Sequence, residues 1–97
     1  MVRHLSAHRV GARIVVSWRT DVPVRRAMFF ALASRTRKPA SAVAGLGVPG
    51  AGGTRFRVVL GPDQRLPFFR GRAHWVRLYT LAPDRLSTGH PRLVPIR

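Results

Sequence analysis

The sequence predicts an all-β protein: a single antiparallel β-sandwich or small barrel with a long Gly/Ala/Pro-rich loop. Three observations carry that expectation. Short runs rich in β-branched and aromatic residues alternate in polarity, as strands with one buried face do. Gly, Pro and Asp break the chain between those runs. At 97 residues the chain has room for one domain, and its 45% hydrophobic content is enough to fill a compact core.

Residues 1–10 read as an N-terminal arm, with the sandwich over 11–97. The arm carries Arg3, His4, His8 and Arg9 and no long apolar run, so a secretory signal is not expected there. Arg13 to Arg19 places Ile14, Val16 and Trp18 on one face and Arg13, Ser17 and Arg19 on the other, the pattern of a half-buried strand. Asp21 and Pro23 end it. Ala27 to Ala33 suits either a helix, by its Ala, Met and Leu, or a buried strand, by its length and paired Phe. A strand is expected, with Met28, Phe30 and Leu32 inward.

Residues 35–53 are low in pattern and rich in Ala, Gly and Ser. They read as an extended loop holding at most a short edge strand or a helical turn around Ala40–Ala44. Thr54 to Leu60 alternates, with Phe56, Val58 and Leu60 inward and Arg55 and Arg57 outward. Gly61-Pro62-Asp63 is a turn, and Leu66 to Arg72 is an apolar knot beside the Arg70-Gly71-Arg72 corner. His74 to Leu81 is a strand whose inward residues are Val76 and Leu78, which leaves Trp75, Arg77 and Tyr79 as an outward row. Pro91 to Arg97 contains Pro95 and fits an edge strand. The expected core anchors are thus Ile14, Val16, Trp18, Phe30, Phe56, Val58, Val76 and Leu78.

The order of these landmarks resembles a fibronectin type III domain. Ile14-Val15-Val16-Ser17-Trp18 followed by Pro23 is similar to that family's second strand, with its core Trp and trailing Pro. Ala27 to Arg35 would be the third strand. Thr54 to Leu60 with Gly61-Pro62 resembles the strand and corner before the sixth strand, Val76 to Thr80 resembles the sixth, and Arg92 to Arg97 the last. The sequence departs from the family in two places. His74 stands where the family has Tyr, and about ten extra residues, 64–73, separate the corner from the sixth strand. The resemblance implies a single fibronectin type III/immunoglobulin-like antiparallel β-sandwich, with an immunoglobulin-like sandwich of different topology as the alternative. A fold of this kind hosts many functions and fixes none.

Charge says more about function. There are 18 Lys+Arg against 3 Asp+Glu, a formal net charge of +15, and the basic residues are Arg except Lys38. Codon bias of a GC-rich genome accounts for Arg over Lys but not for the missing acids. A surface so charged repels itself and implies a partner that offsets it. The acids are Asp21, Asp63 and Asp84, with no Glu and no Cys, so paired-carboxylate chemistry, thiolate metal sites and cysteine nucleophiles are excluded. His4 and His8 have metal-ligand spacing only on a helix and lack a third ligand. Ser17 and Ser34 lack a nucleophile elbow, and the glycines at 45–53 are not followed by the Lys-Ser/Thr of a phosphate loop. No catalysis, metal or cofactor is expected.

The candidate interface is the row Trp75, Arg77 and Tyr79 with Arg55, Arg57, Arg70 and Arg72, where rings and guanidinium groups interleave. Spread over the whole chain, the arginines suit a subunit in a large assembly rather than a reader of base sequence. Through the fibronectin-like resemblance the expectation is a structural module of a phage virion: a capsid decoration, head–tail or tail accessory subunit. Its partners would be other, acidic protein subunits, with non-specific polyanion contact to nucleic acid or cell envelope, and no membrane-spanning segment. The rival is a cytoplasmic ribonucleoprotein component of ribosomal type, which would bind RNA phosphates.

Overall fold

A computed structural model describes residues 2–66, 71–81 and 91–97. Seven strands form two antiparallel sheets: β1 (Val2–Val10), β2 (Arg13–Val24), β3 (Met28–Ser34), β4 (Ala42–Pro49), β5 (Gly53–Leu60), β6 (Trp75–Leu81) and β7 (Arg92–Pro95). One sheet has the order β1-β2-β5, the other β4-β3-β6-β7. They pack face to face as an all-β sandwich around one core.

Residues 2–10, read as an arm, are instead a full strand. They pair with β2 from Val2↔Thr20 to Val10↔Arg13, through a tight turn in which Gly11 adopts φ +62°. A backbone beside β2 must find hydrogen-bond partners. Of the basic residues that made the segment look like a tail, Arg3, His4 and His8 are exposed, while Arg9 lies opposite the buried Ile14 and is partly buried at the end of the strand. Residues 96–97 run along β1 on its other edge, with Arg9 N–H donating to the Arg97 carbonyl at 2.7 Å and Arg97 N–H to the Ala7 carbonyl at 2.9 Å.

The expected loop over 35–53 also contains more structure than the sequence suggested. Pro39–Ser41 is a single 3-10 turn, and Ala42–Pro49 is the edge strand β4, paired along its length with β3. The return from β4 to β5 crosses between sheets at Gly50, where a Cβ would sit 2.5 Å from the Val24 carbonyl oxygen. Only glycine fits so close to that backbone.

Ile14, Val16, Trp18, Val58, Val76 and Leu78 are buried as expected, and Phe56, partly buried, packs on them. Three rings span the layers. Trp18 stacks on Phe56 at 5.3 Å between centroids, and Phe29 from the opposite sheet meets both edge-on at 5.2 and 4.9 Å. Trp18 Nε1 is buried without a hydrogen-bond partner among the described residues.

Phe30 is not a core anchor. The inward residues of β3 are Phe29, Ala31 and Ala33, each fully buried, so the expected set Met28, Phe30 and Leu32 faces outward. The register shows why: Ala31 lies opposite Leu78 and Ala33 opposite Val76, and paired residues share a face. With Trp18 and the buried aliphatics of β2 and β6 occupying the interior, small side chains suffice for the rest of that strand.

Candidate functional site

The sandwich presents two outer faces of opposite chemistry. On the four-stranded sheet, pairing aligns cross-strand rows: Pro49–Met28–Leu81, Gly47–Phe30–Tyr79, Gly45–Leu32–Arg77–Leu93, and Ser34–Trp75–Pro95. These positions alternate with the core residues of the same strands and therefore point away from the core. The face is mostly aliphatic and aromatic. Gly45 and Gly47 form a low strip on β4, and the Phe30 ring leans over it, so close that a Cβ at Gly45 would lie 2.8 Å from Phe30 Cζ. Met28, at 40% relative exposure, is its most open large side chain.

Arginine frames this face. Arg37 stands over the Trp75 ring at 5.1 Å, and Arg77 donates a hydrogen bond to the Arg37 carbonyl. One ring thus receives a cation–π contact while a second guanidinium fixes the segment that supplies it. Trp75, Arg77 and Tyr79 do form the outward row that the alternation of β6 predicts. Phe30, Met28 and Leu32 were missed as part of this face because their size and spacing look like those of a core stripe.

Arg55 and Arg57 are elsewhere. They are exposed on β5, on the outer face of the three-stranded sheet, across the full thickness of the sandwich from Trp75. Here the register aligns Arg3, Arg19 and Arg55 across three strands, and Ser6, Ser17 and Arg57 in the next row. A cleft lined by His4, Ser17, Trp18, Arg19, Arg55 and Phe56 lies beside the Arg19–Arg55 pair. Arg3 makes a salt bridge with Asp21. The candidate residues therefore divide between two faces.

Arg72 belongs to neither; it is exposed at one end of the sandwich near Arg9. Burial, and then the repulsion of Arg72, push the Arg9 guanidinium below its ordinary pKa, and Arg9 donates to the Ala73 carbonyl. Arg70 lies outside the described residues. Among the described residues, no three His, Cys, Asp or Glu side chains gather as a metal site would require, and no helix is long and apolar enough to cross a membrane.

Comparison with known proteins returns no match to any family model, curated protein or solved structure.

Proposed function

We propose that the chain is a non-catalytic binding module of a large assembly, with a fibronectin type III-like sandwich as its scaffold and the outer face of the four-stranded sheet as its docking surface. The resemblance is supported by ordinal position: the stretches similar to the family's second, third, sixth and last strands are β2, β3, β6 and β7 of a seven-strand sandwich. One observation carries the functional reading. In a chain of net charge +15, four adjacent strands turn a contiguous aromatic and aliphatic surface outward. Apolar patches of this kind mark interaction sites, and Trp, Tyr and Arg are the residues on which interface energy concentrates.

The occupant is an acidic protein subunit. A second copy of the chain would bring +15 against +15, whereas an acidic partner meets Arg77 and Arg37 at the rim while its apolar residues cover Phe30 and Tyr79. The concrete form of this reading is a virion accessory subunit of a phage, either a capsid decoration, head–tail or tail component.

The test is incorporation. Trp75→Ala combined with Arg77→Ala is expected to abolish co-purification with intact particles while the free chain, though lowered in melting temperature, still unfolds in one cooperative transition. Full incorporation of that variant would reject the docking face. The second reading, a ribosomal-type ribonucleoprotein component, is favoured by the arginine rows of the other sheet. It predicts co-sedimentation with rRNA and release at high salt.

A further inference from the structure

The arginine rows lead to a second site, independent of the docking face. In a strand pair, like charges directly opposite each other destabilise the sheet. Yet Arg19 faces Arg3 on one side and Arg55 on the other, and Arg57 follows two residues along β5, with Arg13 on the same face of β2. Among the described residues the only salt bridge on this face is Arg3 to Asp21, which leaves Arg19, Arg55 and Arg57 without a carboxylate partner. Two adjacent strands, β2 and β5, thus hold uncompensated guanidinium groups side by side, with the Arg3–Asp21 pair at their β1 flank.

We infer that this face binds the phosphodiester backbone of single-stranded nucleic acid, irrespective of base sequence, with Arg19, Arg55 and Arg57 as the phosphate contacts. Neighbouring strands are about 4.8 Å apart and a two-residue step along β5 is about 6.8 Å. Arg19, Arg55 and Arg57 therefore form a grid whose steps suit successive phosphates of an extended backbone. Guanidinium forks bind phosphate oxygens in pairs. The flat sheet offers no helix or ribbon to enter a groove, so bases are not read.

Two other polyanions fit less well. An acidic protein surface would also need apolar anchors projecting near the charge. Trp18 and Phe56, which line the cleft beside Arg19 and Arg55, pack into the core, and the outward aromatic side chains are on the opposite sheet. An anionic membrane would call for Trp, Phe or Leu projecting beside the arginines. The large apolar side chains exposed on this sheet among the described residues are the valines Val10, Val22 and Val59, with no exposed Trp, Phe or Leu.

The test titrates the full chain against a fluorescent oligothymidylate at several salt concentrations. Arg19→Gln with Arg55→Gln is expected to reduce the slope of log K against log salt by about 1.4, at ~0.7 per lost phosphate contact. Arg57→Gln alone should reduce it by about half as much. Arg25→Gln with Arg26→Gln removes the same charge from the exposed β2–β3 turn and should leave the slope unchanged. Trp75→Ala with Arg77→Ala should leave it unchanged too, so failure of the docking face and failure of this site are read separately.

Equal losses for the Arg19/Arg55 and Arg25/Arg26 variants would show that net charge alone binds, and would overturn the site. So would a loss confined to the Trp75/Arg77 variant, which would move strand binding to the aromatic sheet. Polyglutamate or phosphatidylserine vesicles that bind more tightly than the oligonucleotide, in a manner dependent on Arg19 and Arg55, would reassign the face to a protein or a membrane. Thermal melts of each variant guard against misfolding, and relief of the Arg19–Arg55 repulsion should leave the double variant at least as stable as the parent.

Discussion

The two outer faces are built by the same rule and reach opposite results. Each consists of the residues that alternate with a buried stripe, and each is paired in register across three or four strands. On the β1-β2-β5 sheet the outward positions are Arg, Ser, His and Val, so the face remains hydrated and cationic. On the β4-β3-β6-β7 sheet they are mostly Phe, Met, Leu, Trp, Tyr and Pro, set beside two glycines and interrupted by Ser34 and Arg77. A sheet that faces water on one side normally alternates apolar inside and polar outside. The first sheet follows that pattern and the second breaks it, on the face for which docking is proposed.

The largest expected effect breaks both faces together. Phe29→Ala and Trp18→Ala each remove a ring of the trio that joins the sheets, at a cost of about 3–5 kcal/mol, comparable with the whole stability of a small domain. Denaturant titration should show it. Trp18→Phe should cost less, since it also removes the unpaired indole N–H. Next comes Gly50→Ala, where the new methyl meets Val24 at the crossing between sheets; about 1–3 kcal/mol is expected from overpacking.

Phe30→Ala sharpens the contrast between inner and outer positions of β3. It should cost about 1 kcal/mol, the value for a ring only partly withdrawn from water. A loss as large as that of Phe29→Ala would put Phe30 in the core and remove it from the docking face. Arg19→Gln is expected to stabilise the chain by ~0.2–1 kcal/mol at low salt, and the gain should shrink as salt screens the repulsion. The smallest effect is at His74, an exposed residue next to β6: His74→Tyr should stay within about 0.5 kcal/mol by thermal melting.

Fold class was legible because alternation in β2, β5 and β6 is strict and Gly or Pro punctuates it. The row Trp75, Arg77, Tyr79 was legible for the same reason. β4 was hidden because Gly45 and Gly47 carry no side chain with which to show a period, and its pairing with β3 supplies what propensity lacks. β1 was hidden because its residues read as a charged terminus, although Val2 and Ala7 already mark the inward side. The parity of β3 misled because Met28, Phe30 and Leu32 are larger than Ala31 and Ala33, and on a sheet whose outward rows pack large side chains against one another size does not tell the inner face from the outer. That Arg55 and Arg57 lie opposite Trp75 depends on which sheet each strand joins, and periodicity along one strand holds no such information.

The contact between β1 and residues 96–97 has a mechanical consequence. Ala7 and Ile96 form a parallel bridge, so the chain enters at one end of this seam and leaves toward the other. Tension applied between Val2 and Arg97 would slide the two segments past each other along their length. The Arg9–Arg97 and Arg97–Ala7 hydrogen bonds would then be loaded together in shear, instead of parting one at a time as in a peeled hairpin. In an assembly that pulls on the chain near both ends, the sandwich would resist extension at this seam before either sheet is strained.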